Sequence, residues 1–333
     1  MISVAKNALR KFLYDSGVFG HIHRLRNRHT LTVFMFHRVL PRQSAEYQSA
    51  EKEFTFSVEG FGRCLDFIQS HYQVVSQAEV TAHLDGRQNL PPCAGLITFD
   101  DGWRDTLTHA LPQLKQRHLP AVLFLATEVI DLASDNWWQD MLVDLLAQEG
   151  GLAAIKSALA IRQIAGETPG EERRRLTATL AALEEAQRQA ILQPLLTRPP
   201  GQRQMLIRED LARLGSSITL AGHGHSHAPL SHHPHASDDL AACRAQLQAI
   251  GGDAAVLSFP HGAYDEATLQ QAHAAGFRVC YSSEPLLVNT ARDRSSQTPL
   301  GRIHIPENEW TVNANGIAPE KLATFLFFRP IEQ

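Results

Sequence analysis

Short, continuously apolar runs alternate along this chain with stretches of helical periodicity, and nothing else in it constrains the fold as strongly. LTVFMF (31–36), AGLITF (94–99), PAVLFLA (120–126), SITLAG (217–222), AAVLSF (254–259) and FRVCYS (277–282) read as strands covered on both faces, with GRIHI (301–305) as a last strand. Between them lie helical patterns, at 56–72, 103–118, 236–250 and 265–276. Pro112 predicts a kink or break in the second of these. Repeated strand–helix units predict an α/β fold with a mainly parallel sheet. The rhythm breaks from about 134 to 205, where Ala, Leu, Glu, Arg and Gln dominate without a strand signal. That stretch reads as a helical insertion or lid. Without it about 260 residues remain, the usual size of a strand–helix barrel. The division is therefore an N-terminal helical segment, 1–30, and one domain, 31–333, carrying the insertion.

Composition excludes some partners. Net charge is −4, so no basic field points to nucleic acid. The first 30 residues lack the apolar core of a signal peptide, and no apolar run is long enough to span a bilayer. The expected location is cytoplasmic. Cys64, Cys93, Cys243 and Cys280 are scattered, without metal-site spacing, as buried thiols of a reducing compartment would be. Ile2, Ala5, Leu9, Phe12 and Leu13 share one helical face beside Lys6, Arg10 and Lys11. Such a helix either packs on its own domain or rests on the inner face of an anionic membrane.

Chemistry-bearing residues fall where strands end, the working edge of such folds. AGLITF runs into Asp100, Asp101 and Gly102. Adjacent residues leaving a strand point apart, so the two carboxylates can do different jobs. A metal ion relieves their repulsion: one carboxylate binds it, and the other stays ionised to take a proton. Six of the seventeen histidines crowd between His223 and His235. His223 and His227 have i, i+4 spacing, which puts both imidazoles on one side if the segment is helical. Two histidines and a carboxylate hold a catalytic divalent ion with open positions, and zinc is the first expectation. The run LSF ends in Pro260, His261 and Gly262, where a backbone N–H can face an oxyanion. His37 ends the first strand, placed to protonate a leaving group. Trp138 presents a broad apolar face with a polar N–H, for stacking on a ligand or for anchoring the insertion.

Together TFDDG (98–102), HGHSH (223–227) and FPHGAYDEATLQQAHAAGFRVCYSS (259–283) resemble the motifs of the polysaccharide deacetylases (the NodB-homology family, carbohydrate esterase family 4). The resemblance covers roughly 31–133 and 205–305 and leaves out the insertion and the N-terminal helix. It implies a distorted (β/α) barrel and metal-dependent hydrolysis of an N-acetyl group. Asp100 is then the general base, Asp101, His223 and His227 hold the ion, and the His261 N–H supports the oxyanion. The pattern departs in places. Gly224 stands where the family usually has Ser or Thr. The family's base-orienting Arg and post-proline Tyr are replaced by Ser258 and His261, and Arg302 is the candidate substitute for that Arg. The late Leu-x-His motif is not clear. His37 is favoured over His304 as the acid, as in relatives of permuted order. The expected substrate is an N-acetylated amino-sugar glycan, or a lipid- or nucleotide-linked precursor, in surface-glycan assembly. The rivals are a deformylase or another sugar amidase, and a binding protein with a decayed site.

Overall fold

The computed structural model describes residues 2–132, 137–161, 169–183, 185–196, 203–232, 234–291, 298–313 and 316–332. Six parallel strands stand side by side in chain order: β1 (Thr30–Phe36), β2 (Ala94–Phe99), β3 (Ala121–Leu125), β4 (Ile218–Gly222), β5 (Val256–Ser258) and β6 (Val279–Tyr281). β7 (Val288–Asn289) runs antiparallel along the start of β1, and β8 (Ile303–His304) runs parallel along its end. Leu300, just before β8, bridges to Tyr281 of β6, so segment 300–304 joins the two margins of the curled sheet. The result is the mainly parallel sheet that the strand alternation predicts, curled into the distorted barrel that the resemblance implies.

Period-two alternation sorts the strand side chains into two cores. Leu31, Val33, Leu96, Val122, Phe124, Ala221 and Tyr281 pack together on one face. Phe34, Phe36, Ile97, Phe99, Leu123 and Leu125 turn the other way, toward helices that include α3 (Val58–His71). The β2 face that carries Leu96 continues through Thr98 to Asp100. The strand therefore delivers that carboxylate onto the inner face.

The 103–118 region is helical without a break from 104 to 116, but not α-helical throughout. A π-helical turn at Thr106–Ala110 precedes the helix Leu111–Gln116. Pro112 sits in the first turn of that helix, directly after the π-helical turn, and does not break the run. Among the described residues the insertion contains four α-helices, α4 (Trp138–Ala147), α5 (Gly151–Ala158), α6 (Pro169–Ala181) and α7 (Glu185–Leu192). The chain returns to the barrel at Met205, which bridges to Trp103.

Two helices precede the barrel, α1 (Ile2–Asp15) and α2 (Val18–Arg26). They pack with each other and with the last helix, α10 (Pro319–Phe327), which follows α8 (Ala236–Ile250) and α9 (Glu266–Ala275) in the chain. His23 fastens this corner: it bonds the His71 carbonyl through Nε2 at 3.1 Å and Asn27 through Nδ1 at 2.8 Å, and stacks on Phe327. All four cysteines are buried and unpaired. Among the described residues no helix is long and apolar enough to cross a membrane.

Candidate active site

The site lies where β1, β2 and β4 end. Asp100 leaves β2 buried at 2% exposure. Asp101 then takes a left-handed backbone (φ 78) and Gly102 follows at φ 106. A side chain at Gly102 would strike Leu125 Cδ1 at 2.5 Å, so only glycine lets the loop lie this close to β3. This turn sends the two carboxylates in different directions.

Asp100 faces Arg302, which approaches from the segment entering β8. The guanidinium grips it through both oxygens, Nη1–Oδ1 at 2.6 Å and Nη2–Oδ2 at 2.8 Å. Arg302 is itself held, donating through Nε to the Ser282 carbonyl at 3.0 Å and lying over the Phe124 ring. Burial would push the Asp100 carboxyl up. Arg302, with His223 and His37, more than offsets it and leaves the group below the ordinary carboxylate range. Arg302 thus orients the Asp100 carboxylate from outside the recognised motifs.

Asp101 faces the histidines. Its Oδ1 lies 3.1 Å from His227 Nε2 and 3.6 Å from His223 Nε2. Burial opposes its ionisation, but His227, then His37 and His223, hold it far below the ordinary range. The His223–His227 segment is not helical, contrary to the geometry that i, i+4 spacing suggests. It is a loop bent by left-handed backbone at Gly224 (φ 69) and His227 (φ 59). Asp239 of α8 secures it, accepting from the His225 and Ser226 N–H groups at 2.7 and 2.9 Å and from Ser226 Oγ at 2.6 Å. A Cβ at position 224 would sit 3.1 Å from both Asp239 Oδ1 and Pro260 Cγ. The glycine is therefore part of the loop's construction. His225 turns away to Thr127.

Asp101, His223 and His227 bring one ligand atom each within 4.8 Å of one another. Bonds of about 2.0–2.2 Å to a divalent ion leave ligand atoms roughly 3–3.6 Å apart, so the donor set fits. The imidazoles are also oriented for it. His223 donates from Nδ1 to the Ser258 carbonyl at 2.9 Å, leaving Nε2 toward the centre. Burial lowers its pKa to about 4, which keeps the ring neutral and its lone pair available. The Gln139 side-chain amide of α4 lies against His227 Nδ1, and with its oxygen turned to that nitrogen it accepts the Nδ1 proton and leaves Nε2 for an ion, so the insertion itself touches the centre.

These groups line a cavity of about 480 Å³. His37 is on its wall, with Nε2 3.9 Å from Asp100 Oδ2. His261 and Gly262 also line it, and Pro260 is buried behind them. The His261 ring lies against His227, and burial together with both metal-site histidines lowers its pKa to about 3. His304 is displaced from the cavity, stacked on Phe54, with its pKa lowered to about 4 mainly by burial. Trp138 corrects the stacking expectation. It is 2% exposed, away from the cavity, with Arg188 of α7 over its ring, and it anchors the insertion.

Several working residues escape a reading by motif. Trp103 donates from Nε1 to Asp101 Oδ2 at 2.8 Å and carries the Arg38 guanidinium on its face, 4.0 Å from the ring centre. Arg38 in turn pairs with Asp105 at 3.0 Å. Adjacency to His37 and to the aspartate pair was the available signal. Gln139, Asp140 and Asp144 come from the insertion, which no motif covers. Burial, with Asp144 and Asp105 nearby, raises the Asp140 carboxyl to about 6.

The curled parallel barrel with an aspartate pair and two histidines at its strand ends defines a polysaccharide deacetylase fold. The polysaccharide deacetylase family model matches residues 88–280, and the chain belongs to that family. Solved structures share the fold at low identity. Streptococcus pyogenes deacetylase PplD, solved in complex with acetate, aligns at TM-score 0.58 and 15% identity, over 89% of this chain and 98% of its own. IcaB from Ammonifex degensii aligns at 0.55 and 18%, over 90% and 97%. A de-N-acetylase from Aggregatibacter actinomycetemcomitans aligns at 0.56 and 14%, over 89% and 100%. No curated protein sequence matches the chain.

Proposed function

We propose that this protein removes the N-acetyl group from an amino sugar in a glycan or glycan precursor, using one divalent ion, zinc, held by Asp101, His223 and His227. The observation that carries this is the division of labour between neighbouring carboxylates. Asp101 faces the histidines, and Asp100 is kept ionised by Arg302 beside them. A bound ion supplies Lewis acidity, polarising a carbonyl and making water a better nucleophile. Asp100 accepts the proton of the attacking water. His37, on the same wall, gives a proton to the departing amine. The bend at His261 and Gly262 presents backbone to the developing oxyanion. Glu51, Asp140 and Asp144 line the cavity and offer acceptors for sugar hydroxyls.

The intracellular, lipid- or nucleotide-linked form of the substrate is supported by the four unpaired buried thiols, which suit a reducing compartment. The decayed-site rival fits poorly, because Asp100, Asp101, His223 and His227 each retain an orienting partner. The test is acetate release from N-acetylglucosamine oligosaccharides by wild type and Asp100→Asn. The variant should fall by about 10²- to 10⁴-fold. Equal release would remove Asp100 from the base role, and no release by wild type from any N-acetylated sugar tested would remove the activity.

A further inference from the structure

The apolar stripe of α1 is divided between the core and solvent. Leu13 and Tyr14 make the packed contact with the core. Leu9 and Phe12, one turn apart on the same helix, are 58% and 66% exposed. α2 repeats the arrangement. Its Phe19 is buried, while Leu25, two turns on from the exposed Val18, is 68% exposed. No other exposed large apolar side chain occurs among the described residues except Phe328, which packs edge-on against Phe19. Among the described residues, exposed large apolar side chains are thus concentrated on this one corner.

Charge is concentrated there too. Six of the chain's 31 Lys and Arg residues fall within residues 1–30, against one of its 35 acidic residues. The segment is net +5 in a chain of net −4, so the remainder is net −9. Lys6, Lys11, Arg24 and Arg28 are exposed. Long apolar side chains pointing to solvent and ringed by basic groups suit a bilayer interface. There the apolar groups enter the acyl boundary and the cations meet lipid phosphates. The acidic remainder of the protein would be repelled by that same surface, which fixes the orientation.

We propose that the α1–α2 corner docks on a bilayer containing anionic phospholipid. The inference stands apart from the chemistry of the active site, and its test does not involve turnover. The experiment is co-sedimentation of the full chain with vesicles of phosphatidylcholine alone, or of phosphatidylcholine mixed with an equal part of phosphatidylglycerol, at low and high salt. Wild type should pellet with the anionic vesicles and be released by salt. Leu9→Glu/Phe12→Glu should weaken the association about a hundredfold. Arg24→Gln/Arg28→Gln should weaken it about 30-fold, at roughly fivefold for each basic residue. All four side chains are exposed, and circular dichroism with the thermal midpoint checks that the variants fold. Equal pelleting with both vesicle types, or unchanged pelleting of both variants, overturns the proposal. So does failure to bind vesicles by a wild type that elutes as a dimer and that Leu9→Glu/Phe12→Glu makes monomeric, because the corner would then join two copies of the chain.

Discussion

Replacing Arg302 with Met should do two separable things. The guanidinium makes two charge-assisted hydrogen bonds to a carboxylate that is 2% exposed. Its removal leaves a buried, unpaired charge, which costs about 3–5 kcal/mol. Asp100 escapes part of that cost by taking up a proton. In wild type its carboxyl is depressed, so the pair stabilises the fold above the ordinary carboxylate range, and that stability is lost as pH falls through the depressed value. In Arg302→Met burial acts without its main counterweight, and the sign reverses. Urea unfolding at neutral pH should show the loss. The acid limb of the kcat/KM profile for acetate release should move toward neutral pH, with activity partly recovered at higher pH. Arg302→Lys keeps a charge but loses the two-pronged grip, and should fall between. A stability loss below about 1 kcal/mol together with an unmoved acid limb would refute the assignment of Asp100 as a base held by Arg302.

Gln139→Ala should weaken zinc binding about 10- to 100-fold, measured by chelator competition, because the amide orients His227 from the insertion. Gly224→Ser should destabilise the protein by about 1–3 kcal/mol in urea, since the backbone there is left-handed and Asp239 stands 3.1 Å from the new Cβ. His23, with a pKa lowered to about 4 chiefly by burial, binds fewer protons folded than unfolded. It stabilises the fold at neutral pH, and that contribution is lost as pH falls from about 6.5 to about 4. Unfolding at pH 5 against pH 7 should show the loss, and His23→Gln should flatten it.

Much of the fold was legible because strands buried on both faces write themselves as apolar runs. AGLITF coincides with β2 residue for residue. The α10 corner was not foreseen, since one short helix after an irregular segment leaves no alternation to follow. In the site, Asp100, Asp101, His223 and His227 could be picked out because the chemistry is confined to compact motifs. The loop conformation around His227 could not be, because it depends on Gly224, His227 and an Asp239 contact from a distant helix. Arg302 lies 202 positions beyond its partner Asp100, and only the curl of the sheet joins them. Trp138 shows the converse limit. Its size and neighbours fit either a sugar platform or a core anchor, and packing against Arg188 decides for the anchor.

The most direct test of the account is the metal content of the purified chain, by elemental mass spectrometry, for wild type and for His223→Ala/His227→Ala. The account predicts about one zinc or similar divalent ion per wild-type chain, lost in the double variant while the fold is retained. A wild type that binds no ion even when zinc is supplied, or a double variant that keeps it, would contradict the site and the hydrolysis built on it.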